Sequence, residues 1–369
     1  MKISLAIFRG NPQLGGAERY TGDLAAALAR RGHRVTLVSS EFGEAIAGVE
    51  FIKIPLKSST RTGRYGDYLD GLEAHLAKNQ PDIVHAMLPV RQCNVYHPHA
   101  GLAKLAATAD LASRLNRKRL RFARVERELL SGPRPPVVLC LSDEVKKLVR
   151  QTYPKLPLKL EKLFNAVDLE KFDPLKRREA RGEIRRRFGI SDSEVVALFI
   201  SQNFLLKGLP QTIEAIAGMP EIQKPRLIVV GKEDPKPHQK LAEKLGVARH
   251  VIFAGTTTAA DDFYRAADFF VLPTRRDQCS LVVLEALAMG LPVISTIFNG
   301  ACEIMADGRD GFVLNSATNV AALAEAMEQL TDPETRAAMH AACRQLRPEL
   351  SYETHLNRLE WIYESALAR

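Results

Sequence analysis

The sequence predicts an α/β protein of two doubly wound domains, each a parallel sheet covered by helices on both faces. Three observations carry that reading. Short apolar runs of strand length alternate with helix-period patterns along most of the chain. The alternation breaks at LFNAVDLEKFDP (163–174) and then restarts. With 369 residues and 46% hydrophobic content, the chain can bury two cores, since domains usually run to about 100–200 residues.

In the first half, residues 3–8 read as a strand and 10–16 as a glycine-rich loop. A helix over 17–31 follows, with Leu24, Leu28 and alanines on one face and Gly32 ending it. Strands are expected at 35–39, 51–55, 82–87 and 137–142. Helices are expected at 65–79 and 143–153, with one long basic helix over 103–130. The second half repeats the scheme: strands at 195–201, 226–230, 251–254, 269–273 and 292–295, and helices at 209–217, 238–245, 261–267 and 281–289. Helices over 320–330, 333–346 and 352–367 close the chain. In open parallel sheets ligands bind at the carboxyl ends of strands, so two such domains predict a site in a cleft between them.

Composition narrows the function classes. No segment approaches about 18 uninterrupted apolar residues, and the first apolar run ends at Arg9, so neither a membrane span nor a signal peptide is expected. Five scattered cysteines without a C-x-x-C pair argue against a disulfide framework or a zinc knuckle and fit a reducing cytoplasm. The net charge of +9 is uneven, with Arg114, Arg117, Lys118, Arg119, Arg121, Arg124 and Arg127 in one stretch. Such a face attracts phosphates, anionic lipid or nucleic acid, or is simply solvated. Aromatics are only 7% and no nucleic-acid motif appears, so no nucleic-acid partner is expected.

The stretch PTRRDQCSLVVLEALAMGLP (273–292) carries the most chemistry. Asp277 and Glu285 stand with seven uncharged, mostly apolar residues between them. Burying an unpaired carboxylate costs on the order of several kcal/mol, so Glu285 needs a partner. Paired hydroxyls of a polyhydroxy ligand would serve, and so would a neighbouring arginine.

Four other segments are candidates. In GNPQLGGAE (10–18), Gly15 and Gly16 lie between a strand and a helix, where backbone N–H groups can approach an anion; a tight turn is the alternative. The run is neither a P-loop nor G-x-G-x-x-G. In SQNFLLKG (201–208), Lys207 can neutralise a diphosphate or stay solvated. YHPHAG (96–101) offers His97 and His99, which would alternate faces if extended, so no shared metal is expected. In FNGACE (298–303), Gly300 permits close backbone approach, and Glu303 either faces the site or caps its own helix.

Taken in order, these segments resemble glycosyltransferase family 4, the retaining, nucleotide-sugar-dependent enzymes of the GT-B fold. The resemblance rests on GGAE (15–18), ALARRGHRVTLV (27–38), NAVDLEKF (165–172), Lys207–Gly208 and D-x7-E at Asp277–Glu285 with ALAMGLPVI (286–294). It implies two Rossmann-like domains facing across a cleft: an acceptor-binding domain over 1–165, a donor-binding domain over 166–350, and a helix over 351–369 crossing back to the first.

It also implies roles. Glu285 would hold both ribose hydroxyls of the donor, and Asp277 the hydroxyls of the transferred sugar. Lys207, the backbone at Ser280, Leu281 and Val282, and the Gly15–Gly16 turn would hold the diphosphate. His99 would stand near the anomeric carbon, with His97 as runner-up. No D-x-D motif is present, so no metal or other cofactor is required beyond the nucleotide sugar as donor substrate.

Three departures stand out. Asp277 is shorter than the usual glutamate by about 1.5 Å. Gln202 replaces an arginine, leaving the diphosphate to Lys207 and to Arg9, Arg275 or Arg276. Cys279 and Ser280 replace an aromatic–glycine pair.

YHPHAG, the basic helix and N-F-x-x-K-G look most like glucosyltransferases of lipopolysaccharide core assembly. That subgroup implies a hexose, glucose from UDP-glucose, moved to a glycan or lipid-linked acceptor. It also implies peripheral contact of the basic helix with anionic membrane at the cytoplasmic face. The rival readings are a nucleotide-sugar epimerase of the GT-B fold and a non-catalytic membrane- or nucleic-acid-binding protein.

Overall fold

The computed structural model describes residues 1–99, 101–176 and 179–368; Ala100 of the YHPHAG run lies outside them. The chain divides into two compact units, one of Met1–Asn165 with Tyr352–Arg369 and one of Ala166–Ser351.

In the first unit, β1 (Lys2–Ala6), β2 (Arg34–Ser39), β3 (Val49–Lys53), β4 (Ile83–Ala86), β5 (Val95–Tyr96), β6 (Val137–Cys140) and β7 (Leu160–Lys162) form a sheet ordered β3-β2-β1-β4-β5-β6-β7. The pairs are parallel, with Leu5 set between Leu37 and His85. The strand order reverses direction at β1, the arrangement of a doubly wound sheet. Helix α1 (Gly16–Arg30) buries Tyr20, Leu24, Ala25, Ala27 and Leu28. Thr60 accepts the Gly63 N–H to start α2 (Arg61–Asn79), and Gln80 in the left-handed region ends it.

The expected long basic helix is three shorter ones: α3 (Ala103–Thr108), α4 (Leu111–Leu115) and α5 (Arg117–Leu130). Two side chains break it. Asp110 accepts the Ser113 N–H, and Asn116 accepts those of Lys118 and Arg119, so each restarts a helix as an N-cap. Glu126, fully buried on α5, accepts from the Tyr96 and Tyr153 hydroxyls at 2.6 and 2.7 Å and from the Ala103 and Lys104 N–H groups at 2.8 and 3.0 Å. One carboxylate thereby fixes α5 to the start of α3. Helix α6 (Asp143–Thr152) follows β6.

The second unit opens with α7 (Glu179–Arg187) and a sheet of β8 (Val196–Ile200), β9 (Arg226–Val230), β10 (Val251–Gly255), β11 (Phe269–Val271), β12 (Val293–Thr296) and β13 (Gly311–Leu314). Its order is β10-β9-β8-β11-β12-β13, again parallel throughout. Around it lie α8 (Leu209–Gly218), α9 (Lys236–Lys244), α10 (Ala260–Ala266), α11 (Leu281–Ala288), α12 (Val320–Gln329), α13 (Pro333–Gln345) and α14 (Arg347–Leu350). The last helix, α15 (Tyr352–Leu367), belongs to the first unit: its His355 ring accepts a hydrogen bond from the Tyr20 hydroxyl at 3.0 Å. No helix among the described residues is long and apolar enough to cross a membrane.

Strands β5, β7 and β13 and helix α7 were not expected. β5 is two residues long, β7 sits at a sheet edge with lysines at 159 and 162, and β13 follows the charged run ADGRD. None presents a run long enough for a period to show.

Candidate functional site

The sheet order of the second unit places the loops after β8, β11 and β12 side by side. The loop after β11 is tied on both flanks. Arg275 N–H donates to Leu206 O at 3.1 Å on one side, and Asp277 N–H donates to Phe298 O at 2.9 Å on the other. Gly300 N–H returns to Asp277 O at 3.0 Å, and the buried Thr296 hydroxyl donates to Thr274 O at 2.6 Å. Gly208, at φ +84, makes the first flank possible: a Cβ there would fall 2.4 Å from Pro273 O. The glycine of the Lys207–Gly208 pair is therefore a packing requirement.

This stitching brings Lys207 and Asp277 together. Lys207 Nζ lies 2.5 Å from Asp277 Oδ2 and donates to Arg276 O at 3.3 Å. Asp277 Oδ1 accepts the Cys279 N–H at 3.3 Å. Both charged side chains keep about a fifth of their surface exposed, 17% and 20%. Arg275 and Arg276 are solvent-exposed.

Ser280 is the N-cap of α11, and its side chain makes no capping bond. Leu281 and Val282, the first helical residues, present the backbone N–H groups that a helix start leaves without intrahelical acceptors. Ser280 N–H itself donates to Asn299 Oδ1 at 3.2 Å. Asn299 is buried, donates to Ser295 Oγ at 3.2 Å and caps the 3-10 helix Gly300–Ile304. Glu303 is exposed, and the capping role weighed for it belongs to Asn299.

Glu285 is 1% exposed, as its apolar context implied. The Tyr264 hydroxyl lies 2.9 Å from Glu285 Oε2 and 3.1 Å from Val282 O. Tyr264 is itself fully buried, with its ring edge-on to Phe172. The carboxylate is thus held at a fixed depth behind the start of α11.

In the first unit, Gly15 and Gly16 stand where α1 begins, behind a short 3-10 turn at Pro12–Leu14. A Cβ on Gly15 would fall 2.9 Å from Glu18 Oε2, and Glu18 pairs with Arg9 at 3.6 Å. His99 is half-buried; its Nε2 lies 3.0 Å from Asn165 Oδ1, and its ring centroid is 4.9 Å from that of Tyr20. His97 is buried, and neither ring nitrogen has a hydrogen-bond partner among the described residues. Burial, and then the neighbouring His99, His85 and His355, hold its pKa well below the ordinary histidine value. Of the two, His99 is the one with solvent access.

The structure therefore joins Lys207, Asp277, Ser280, Leu281, Val282 and Glu285 on the second unit, and places Gly15, Gly16 and His99 on the first. Tyr264, Asn299, Asn165 and Tyr20 went unassigned in the sequence reading. No three His, Cys, Asp or Glu side chains among the described residues are grouped as metal ligands.

Residues 14–171 match the model of Glycosyltransferase Family 4, and residues 180–346 that of Glycosyl transferases group 1. The chain is 27% identical over 319 residues to the lipopolysaccharide glucosyltransferase WaaG of Escherichia coli strain K12, covering 85% of each chain. The crystal structure of WaaG superposes with a TM-score of 0.80 at 25% identity, covering 99% of this chain and 98% of that one. Anabaena HepE, solved in complex with UDP and glucose, matches with a TM-score of 0.75 over 99% of this chain and all of its own; at 18% identity it shows the fold alone. Two doubly wound parallel sheets of this order, with these family matches, are those of a glycosyltransferase of the GT-B fold. The chain belongs to glycosyltransferase family 4, group 1.

Proposed function

We propose that the protein moves glucose from UDP-glucose, with retention of anomeric configuration, to a glycan or lipid-linked acceptor of the lipopolysaccharide core type. The observation that carries this reading is the Lys207–Asp277 contact beside the uncapped start of α11. The likeness to a lipopolysaccharide glucosyltransferase over most of the chain supports the choice of sugar and acceptor.

The reaction breaks the bond from the anomeric carbon to the diphosphate oxygen and forms one to an acceptor hydroxyl oxygen, whose proton leaves with the departing phosphate. Charge develops on the diphosphate. Lys207 and the N–H groups at Leu281 and Val282 stabilise it on the second unit. Glu285, held by Tyr264, takes the ribose hydroxyls. Asp277 takes a hydroxyl of the transferred sugar. These groups supply positioning and fixed dipoles, the main sources of rate in such a transfer.

Membrane contact belongs to the same proposal. Leu111 and Leu115 are 75% and 77% exposed beside Arg114 and Arg117, the composition of a helix that lies in a headgroup layer. The working place is then the cytoplasmic face of an anionic membrane.

A thermal-shift panel of UDP-, GDP- and ADP-glucose tests the donor. Binding raises apparent stability by mass action, so UDP-glucose is expected to raise Tm and the other two to do less. A product of inverted anomeric configuration, or no shift with any of the three, would reject the reading.

A further inference from the structure

The second unit carries a cavity of about 600 Å³ at the amino ends of its strands. Asp268 and Leu291, which line it, stand shortly before β11 and β12, whereas Lys207 and Asp277 lie in loops past the carboxyl ends of β8 and β11. The volume falls within the range of about 300–1,000 Å³ usual for small-molecule sites. Buried Met289 and Leu291 and the ring of Tyr264 give it apolar walls. Leu175 adds a further apolar side chain and keeps 67% of its surface exposed, surface that a ligand would cover.

The polar groups of the wall differ in what they leave free. Arg181 and Arg265 are paired with Asp268 and Asp261 at 2.8 and 2.7 Å. Asp268 also meets Arg185 at 2.7 Å, so its charge is offset twice. Exposed Arg344 has no carboxylate in ion-pair range among the described residues. Its stem lies over Gly290, at φ +75, where a Cβ would fall 3.0 Å from Arg344 Cγ. His340 stands one turn before Arg344 on α13, so the two share a helix face. The His340 Nδ1–H donates to Gly290 O. Nε2 of the neutral ring is then an acceptor, and it has no hydrogen-bond partner among the described residues. Burial holds this ring below the ordinary histidine value, which keeps it neutral.

We propose that this cavity binds a small organic anion with an apolar body and a hydroxyl donor, and that its occupancy strengthens nucleotide binding through Tyr264. Arg344 takes the anionic group, His340 Nε2 accepts the hydroxyl, and Leu175, Met289 and Leu291 cover the body. Tyr264 is the link: its ring lines the cavity while its hydroxyl bonds Glu285 Oε2 at 2.9 Å. Helix α11 runs between the same two places, with Leu281 and Val282 at its start and Met289 at its end. A ligand packed on Tyr264 and Met289 favours the arrangement in which the phenol faces Glu285, and shifts the population toward it. This consequence rests on the ribose contact proposed for Glu285; the cavity and its free groups do not.

The test is calorimetric titration of the full chain and of an Arg344→Met variant with 4-hydroxybenzoate, which carries a carboxylate, an apolar ring and a hydroxyl. Phenol, which lacks the carboxylate, is the control. Arg344 is exposed and methionine keeps an apolar stem over Gly290, so the variant keeps its fold, which circular dichroism checks. A molecule of this size is expected to bind the wild type with a Kd on the order of 1 mM. Removing the guanidinium or the carboxylate should each weaken binding about tenfold, the usual size for one charge-assisted bond. Saturating 4-hydroxybenzoate should tighten UDP binding about fivefold or more, and UDP should tighten 4-hydroxybenzoate by the same factor. No saturable binding by the wild type, equal binding by wild type and variant, phenol binding as tightly as 4-hydroxybenzoate, or displacement of 4-hydroxybenzoate by UDP overturns the site. Unchanged UDP affinity at saturating 4-hydroxybenzoate overturns the link through Tyr264. Failure of the wild type to bind UDP at all removes the transfer reading instead, and the comparison of wild type with Arg344→Met still decides the cavity.

Discussion

Lys207 Nζ and Asp277 Oδ2 lie 2.5 Å apart, joining the lysine after β8 to the acid after β11. The contact reconciles the short acid with its position. Asp277 does not reach outward by itself; the loop carrying it is drawn in by Phe298 O and Gly300 N–H. In the proposed transfer, a diphosphate arriving at Lys207 would compete with Asp277 for the ammonium, and the freed carboxylate would then be available to a sugar hydroxyl.

Lys207→Ala removes the cation proposed to meet the leaving group. Turnover is expected to fall about a hundredfold or more, the usual loss for one such electrostatic partner, with the far-ultraviolet spectrum unchanged. Asp277→Asn removes the competitor and keeps the shape, so UDP affinity is expected to hold or rise while sugar transfer falls. Unchanged turnover in the alanine variant, read from nucleoside diphosphate release, would remove Lys207 from the mechanism.

Tyr264 supplies a hydrogen bond to a carboxylate that is 1% exposed. Tyr264→Phe leaves that acid short of a donor, which costs about 1–3 kcal/mol. Part of this is expected as lost stability in urea denaturation and part as a nucleotide-sugar affinity weakened by about tenfold. Glu285→Ala should abolish detectable binding. If both variants bind UDP-glucose as tightly as the wild type, the ribose contact assigned to Glu285 is wrong.

The doubly wound pattern was legible because β1, β2, β8, β9 and β12 are short, continuously buried apolar runs separated by helix-period stretches. The acid pair was legible because a charge inside LVVLEALA stands out against its neighbours. The groups that hold those acids were not. Tyr264 and Asn299 act through side-chain bonds to residues 21 and 19 positions away, and Tyr20 meets a histidine 335 positions on. Such pairings depend on strand order, which a local pattern does not encode. The basic helix misled for a related reason: Asp110 and Asn116 read as ordinary polar residues on a charged face, yet their short side chains cap new helices.

The same region carries the membrane prediction. Leu111 and Leu115 project beside basic residues, so insertion and attraction should both contribute. Arg114→Gln with Arg117→Gln should weaken binding to anionic vesicles by about 1 kcal/mol per charge in low salt, and less as salt rises. Leu111→Ser with Leu115→Ser should weaken it at any salt. Co-sedimentation with phosphatidylglycerol vesicles measures both, and both variants and wild type pelleting alike would end the membrane reading.

Stability of the first unit should depend on pH through its buried histidines. His355 donates from Nδ1 to Phe164 O at 2.8 Å and accepts the Tyr20 hydroxyl at Nε2, a pattern only the neutral ring can make. Burial pushes His355 down to about 4 and His85 down to about 3. In the unfolded chain both return to about 6.5, so between that value and their folded values the unfolded state binds more protons. Stability is therefore full above about 6.5 and falls as pH drops toward 4, by about 2 kcal/mol per histidine between pH 6.5 and 5. His355→Gln, which can still donate to Phe164 O, should lose some stability at pH 7.5 but show a shallower slope below pH 6.5. Urea midpoints at pH 7.5, 6.5 and 5.5 measure this. Identical slopes in wild type and variant would mean that His355 is not the group whose protonation unfolds the chain.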